Sequence, residues 1–123
     1  MISGGNATIY VTDMDRAVRF YTETLGLKLQ YRAGDEWASI DAGSGLILGL
    51  HLTREGGPAA GRSGSISVGL SVTEPFERVV ETLRQRGVEF RGNREETAIR
   101  LAFFGDPDGN DLYLADVQGT SQG

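Results

Sequence analysis

Residues 9–26, IYVTDMDRAVRFYTETLG, hold the order of elements that decides the fold. The β-rich alternation of residues 6–12 predicts a strand, and apolar residues at helical spacing over residues 13–26 predict a helix. Asp13 suits the N-cap of that helix, and Gly26 suits the left-handed position that follows a helix. A strand that runs directly into a helix therefore begins the first structural unit of the chain.

The same pattern begins again after a linker rich in Gly, Pro and Ala at residues 54–64. Val72 follows Val11 at the same distance along the chain as Gly87 follows Gly26. His51 matches Tyr113 in the same way, once a single inserted loop position is allowed for. A repeat this regular indicates two copies of one βαβββ unit.

Each predicted module contains one helix and four strands. In the first module the strands after the helix are expected at residues 27–33, 36–42 and 45–53. The second module is expected to contain a strand at 65–72, a helix at 73–87 with Thr73 as its N-cap, and strands at 88–92, 97–105 and 110–116. We therefore expect a single domain of residues 1–123, with its modules at about 5–53 and 65–117.

Composition excludes several classes of function. The 123 residues include no cysteine, so neither a disulfide framework nor a thiolate metal site is expected, as is typical of a reducing cytoplasm. The net charge is −5 and the basic residues are scattered, which argues against nucleic acid as a partner. No apolar run is long enough to span a membrane, and no secretory signal is apparent. We expect a cytoplasmic protein that binds neither nucleic acid nor membranes.

Alternation within the strands assigns two faces to each sheet. In residues 45–53 the leucines share one face, while Ile47, Gly49 and His51 share the other. The leucine face belongs under the helix. Two sheets turned toward each other would enclose the opposite, less apolar faces in a cup with room for a ligand. The alternative is that these faces are merely solvated.

Two segments resemble a known family: IYVTDMDRAVRFYTETLGLKL at residues 9–29 and FFGDPDGNDLYLAD at residues 103–116. They resemble the vicinal oxygen chelate superfamily, which includes glyoxalase I, bleomycin-resistance, fosfomycin-resistance and extradiol-dioxygenase proteins. The resemblance implies an α+β fold of two βαβββ modules that form an open barrel-like cup, frequently completed by a homodimer. The DPDGN segment itself reads as a turn whose aspartates bond local backbone. Pairing of the modules within one chain and their exchange between chains both remain open.

The resemblance also implies four metal-ligand positions in metal-dependent members, carried over here to Asn6, His51, Ser67 and Tyr113. Only His51, the single histidine of the chain, is a good metal ligand. An amide, a neutral hydroxyl and a phenol are weak partners for it. We therefore expect no cofactor and no catalytic metal, and an unorthodox divalent metal site that includes His51 stays the alternative.

The cavity-lining residues follow from strand parity and from the resemblance. In residues 97–105 parity leaves two sets open, and the resemblance favours the set that contains Phe103. The predicted ligand-binding residues are Asn6, Thr8, Tyr10, Trp37, His51, Ser67, Phe103 and Tyr113. Aromatic walls with a few hydroxyls and one imidazole are typical of a pocket for a flat or apolar organic molecule.

Three functions are compatible with this pattern. The first is a metal-independent protein that binds a small, drug-like organic molecule, as bleomycin-resistance proteins do. The second is a lyase, isomerase or dioxygenase that uses His51 as acid/base or as a metal ligand. The third is a dimeric scaffold with a vestigial cup. Without a ligand role, Trp37 would be partly buried core, and Tyr10 and Tyr113 would be rim residues with their hydroxyls in water.

Overall fold

The computed structural model describes residues 1, 3, 5–61, 67–96 and 99–117. The chain forms two compact units, one of Met1–Arg62 with Pro107–Asn110 (unit 1) and one of Ser63–Asp106 with Asp111–Gly123 (unit 2). The ends of three predicted segments, at residues 62–64, 65–66 and 97–98, lie outside the described residues. Within the described part of the chain, no helix has both the length and the apolar composition to span a bilayer.

Unit 1 is a four-stranded sheet with one helix. Its elements are β1 (Asn6–Val11), α1 (Met14–Arg19), a π-helical turn (Phe20–Thr24), β2 (Lys28–Ala33), β3 (Trp37–Asp41) and β4 (Ile47–Leu52). The strand order is β1-β4-β3-β2, with β1 parallel to β4 and the other pairs antiparallel.

Unit 2 repeats this topology. Its elements are β5 (Ser67–Ser71), α2 (Phe76–Gln85), β6 (Gly92–Glu96), β7 (Ile99–Gly105) and β8 (Asp111–Val117). The strand order is β5-β8-β7-β6, again with one parallel pair, β5 and β8. The identical order in both units confirms the predicted α+β fold of two βαβββ modules.

The first helix begins as its sequence predicts and ends differently. The Asp13 side chain caps it by accepting a hydrogen bond from the backbone N–H of Arg16 at 3.0 Å. After Arg19 the helix widens, so that the N–H of Leu25 donates to the carbonyl of Phe20, five residues back. Gly26 then takes a positive φ of 78°, the conformation that a glycine after a helix permits.

The second helix begins later than predicted. Thr73 is not its N-cap; the cap position belongs to Pro75, which makes no side-chain cap hydrogen bond. The Pro75 carbonyl accepts from the N–H groups of Arg78 and Val79 at 3.0 and 3.1 Å. A proline disfavours helical backbone in the residue before it, so Glu74 cannot belong to the first turn.

The strand predicted at residues 88–92 is also wrong in position, because pairing begins only at Gly92. Val88 is buried directly after the helix and donates its N–H to the Leu83 carbonyl at 3.0 Å. The Phe90 ring packs edge-on against Phe104 with centroids 5.5 Å apart. The apolar residues that suggested a strand instead fill the space between α2 and the sheet.

The helix-facing sides of both sheets form the core. In unit 1, Leu48 and Leu50 on β4 and Ile40 on β3 are fully buried, which confirms the leucine face predicted from alternation. In unit 2, Ala102 and Phe104 occupy the same side of β7 and are buried. Phe103 therefore lies on the helix-free side, as the resemblance implied.

Side chains of the DPDGN turn bond distant segments of unit 1. Asp108 accepts hydrogen bonds from the backbone N–H of Thr12 at 3.0 Å, from the Thr12 hydroxyl, and from the Arg16 guanidinium at 3.1 Å. Asn110 accepts from the N–H of Gly61 and donates to the carbonyl of Tyr10, both at 2.9 Å. The expectation that this turn bonds only local backbone was too narrow, since Asp108 and Asn110 hold residues far away in the chain.

We predict that Asp108→Ala destabilises unit 1 by about 2 kcal/mol, because a carboxylate with several donors is replaced by a group that accepts none. The Asp108 side chain is only 7% exposed. Asp35→Ala is the matched control: Asp35 also pairs with an arginine, but it is 78% exposed, and its loss should cost about 0.5 kcal/mol or less. Urea denaturation followed by Trp37 fluorescence gives the free energy of unfolding of both variants. Equal losses of stability would contradict a structural role for the Asp108 carboxylate.

Candidate functional site

Three ring side chains form a row across the helix-free face of unit 1. His51 on β4 lies directly opposite Tyr10 on β1 and opposite Trp37 on β3. The ring centroids of Tyr10 and His51 are 5.3 Å apart, and those of Trp37 and His51 are 6.1 Å apart with the planes at 82°. All three side chains are half-buried. The structure thus brings together three of the predicted site residues, with the imidazole in the middle; we call them the aromatic row.

Trp37 lies across the sheet because its neighbour on β4 has no side chain. A Cβ atom built on Gly49 would meet the Trp37 ring at 2.1 Å, far inside van der Waals contact. The indole Nε1–H donates to the Ser39 hydroxyl at 2.9 Å, which fixes the ring's orientation along β3. Gly49 therefore sets the position of the tryptophan in the aromatic row.

His51 is held by a hydrogen bond to its own strand. Its Nδ1 lies 2.7 Å from the backbone carbonyl oxygen of Leu52. A carbonyl oxygen only accepts hydrogen bonds, so Nδ1 carries the proton and donates it. In the neutral imidazole the lone pair then resides on Nε2.

The corresponding face of unit 2 holds a smaller set of predicted site residues. Phe103 on β7 lies opposite Tyr113 on β8, with ring centroids 5.8 Å apart. Tyr113 packs over Gly69, where an added Cβ would meet its ring at 2.4 Å. Ser67 is exposed and lies opposite Asp111.

Asn6 and Thr8 complete the list of predicted site residues. Both are exposed on the same face of β1 as Tyr10. Thr8 lies opposite Gly49, whereas Asn6 lies opposite Ile47 at the far end of the strand pair.

The residues at the carried-over metal positions do not fit a divalent ion. Asn6 and Tyr10 are four residues apart on β1, and Tyr10 is the residue opposite His51, so about 13 Å of strand separates Asn6 from the imidazole. Bonds to a divalent metal are about 2 Å long, which is too short for the two side chains to share one ion. Among the described residues, no three His, Cys, Asp or Glu side chains converge on a point where they could hold a metal.

Strand registers also revise the internal repeat. In unit 1, Thr8 lies opposite Gly49. The spacing that relates Val11 to Val72 relates Thr8 to Gly69. In unit 2, Gly69 lies opposite Tyr113. The structural counterpart of Tyr113 is therefore Gly49, and the predicted match of His51 with Tyr113 is wrong. The similar sequences Leu-His-Leu at 50–52 and Leu-Tyr-Leu at 112–114 suggested the wrong alignment, because the loops of the two modules differ in length by more than one residue.

Sequence reasoning missed Tyr31, which lies on the same helix-free face of unit 1 as the aromatic row. Leu29 pairs with Ile40 and Tyr31 pairs with Ser39, so β2 carries a bulge at Gln30. The bulge places Leu29 and Tyr31 on opposite faces, although simple alternation would put them on one. Tyr31 is 60% exposed, beside the acceptor of the Trp37 indole. No local signal in the sequence marks the bulge.

A separate groove of about 570 Å³ lies on the helix side of unit 2, between α2 and the strands β6 and β7. Phe76 and Phe90 form part of its wall, with Glu77 and Glu81 among its polar residues. None of the predicted site residues lines it.

Internal ion pairs account for the charges at this groove. Arg100 lies over the Phe76 ring at 4.9 Å and bonds the Glu77 carboxylate, and Arg84 pairs with Glu81 at 2.8 Å. The hydrogen bond from Arg100 lowers the pKa of the Glu77 carboxyl, and the same contact raises the pKa of the Arg100 guanidinium. The helix-side carboxylates are thus already paired with arginines of the same unit.

Comparison with known proteins identifies the family. The model of the Glyoxalase/Bleomycin resistance protein/Dioxygenase superfamily matches residues 5–114. The chain belongs to this superfamily. The match spans both modules, and it confirms the resemblance that the two sequence segments suggested.

Solved structures of the superfamily share the whole fold. TnmS3, an antibiotic binding protein from Streptomyces sp. CB03234, is 26% identical with a TM-score of 0.77, over 96% of this chain and 98% of that one. A glyoxalase/bleomycin resistance protein from the same Streptomyces strain is 27% identical with a TM-score of 0.72, over 91% and 98%. A superfamily member from Nocardioides is 25% identical with a TM-score of 0.75, over 98% and 86%.

We predict that Gly49→Ala displaces Trp37 and changes its fluorescence, because the new methyl group and the indole cannot occupy the same space. Gly69→Ala is the matched control, since it introduces the same kind of clash against Tyr113 in the other unit. Trp37 is the only tryptophan, so the emission spectrum reports on it alone. An unchanged spectrum in Gly49→Ala, or an equal change in Gly69→Ala, would contradict the packing described.

Proposed function

We propose that this superfamily member binds a small, flat organic molecule on the aromatic row of unit 1, without a metal. The observation that carries the proposal is the row itself: Tyr10, His51 and Trp37 side by side on a helix-free sheet face. Half-buried aromatic rings offer flat apolar area at low entropic cost, and they stack favourably on planar ligands.

Two further observations support a binding role. TnmS3, which is 26% identical over almost the whole chain, is described as an antibiotic binding protein. Two side chains of the aromatic row are held in place, Trp37 by Gly49 and the Ser39 hydroxyl, and His51 by the Leu52 carbonyl. A rigid aromatic surface loses little conformational entropy when a ligand binds. The homodimer and the cytoplasmic location stay predictions.

The test follows the Trp37 indole N–H in a ¹H–¹⁵N correlation spectrum, where a single tryptophan gives a single indole signal. The probes are 2-naphthol and 2-methoxynaphthalene, added with and without EDTA. We expect a saturable shift of the signal, equal in both conditions, and about five-fold weaker binding to Tyr10→Ala because one ring of the row is removed. Arg84→Ala, on the helix-side groove of unit 2, should bind as the unchanged protein does.

Three results would contradict the proposal. A Trp37 signal that moves with neither probe would remove the aromatic row as a binding surface. Binding that Arg84→Ala weakens more than Tyr10→Ala would move the ligand to the groove. Chromatographic recovery of a converted probe, or binding abolished by EDTA, would favour the alternative of an enzyme that uses His51 as acid/base or as a metal ligand.

A further inference from the structure

We infer that His51 selects aromatic ligands that carry a hydroxyl or an N–H donor, and that its Nε2 atom is the acceptor. This inference rests on the proposed function and adds the ligand's chemical class, namely phenols and heteroaromatic N–H compounds. It concerns specificity, since a ligand without a donor would still contact the rings.

The Leu52 carbonyl determines the tautomer of His51. Nδ1 lies 2.7 Å from the Leu52 carbonyl oxygen and therefore donates its proton there. A neutral imidazole has only one N–H, so Nε2 presents a lone pair. The backbone of the protein's own strand thus determines which ring nitrogen is the acceptor.

No donor in the described part of the chain uses this acceptor, Nε2 of His51. Nε2 is also not fully buried, because the one buried side-chain polar atom without a partner in these ranges is Nε of Arg100. The indole N–H of Trp37, on the neighbouring strand, already donates to the Ser39 hydroxyl. Within the ranges that the structure describes, Nε2 is therefore an accessible acceptor.

Covering Nε2 of His51 costs free energy unless the ligand donates a hydrogen bond to it. The Tyr10 and Trp37 rings lie on either side of the imidazole at 5.3 and 6.1 Å, with their planes at 44° and 82° to it. Because β4 lies between β1 and β3, a planar molecule that contacts both of these rings also lies over His51. A ligand without a donor removes water from Nε2 and replaces it with nothing, which costs more than a single hydrogen bond gains. Sites built to hydrogen-bond a hydroxyl discriminate strongly against analogues that lack it for the same reason.

The experiment compares 2-naphthol with 2-methoxynaphthalene, which differ in the donor and by one methyl group. Equilibrium dialysis gives Kd for each with the unchanged protein, His51→Phe and His51→Gln. The measured quantity is the Kd of 2-methoxynaphthalene divided by the Kd of 2-naphthol. The two probes differ in hydrophobicity, but this difference is the same for every protein and cancels when their ratios are compared. We expect the preference for 2-naphthol to fall about five-fold in His51→Phe, which keeps a ring and lacks an acceptor. His51→Gln, whose amide oxygen accepts, should restore part of it.

Each outcome is decisive. An unchanged ratio in His51→Phe, with both probes bound by all three proteins, overturns the inference and leaves the proposed function intact. Failure of the unchanged protein to bind either probe overturns both. A lowered ratio in His51→Phe without recovery in His51→Gln also contradicts the inference, since it assigns the effect to ring packing. Correlation spectra of the variants confirm that each one is folded.

Discussion

The pairing of β4 between β1 and β3 is the constraint on which the rest of unit 1 depends. In this register the backbone brings His51 opposite Tyr10 and Trp37 and turns Leu48 and Leu50 toward the helix. A shift of one residue would bury the imidazole and expose the leucines, so burial of the leucine face strongly specifies the register. The hydrophobic core and the aromatic row are therefore opposite faces of the same strand pairing.

Much of this could be predicted from periodicity, because strand alternation and helix caps are local signals. The leucine face of β4, the cap at Asp13 and the repeated module followed from residues that act on near neighbours. What could not be predicted depends on pairing between distant segments. The bulge at Gln30, the late start of β6 at Gly92 and the hold of Asp108 on Thr12 leave no periodic trace.

The sequence predicted which sheet face each candidate site residue lies on, but not which of these residues lie next to one another. Parity and the family resemblance together assigned the eight predicted residues to helix-free sides. Only the registers show that His51 lies beside Tyr10 and Trp37, while Asn6 lies about 13 Å along the strand. Superfamily membership supplies the fold, whereas chemistry is determined by the side chains that occupy it. Here they are rings, hydroxyls and one oriented imidazole, a combination that suits stacking and hydrogen bonding.

The tautomer of His51 tests the central claim most directly, because the claim needs an acceptor in the middle of the aromatic row. The chain has one histidine, so a long-range ¹H–¹⁵N correlation spectrum of the neutral imidazole is free of overlap. The account predicts a protonated Nδ1 and an Nε2 with the chemical shift of an unprotonated, pyridine-like nitrogen. A protonated Nε2 would mean that the Leu52 carbonyl does not orient the ring, and the aromatic row would then present a donor instead of an acceptor.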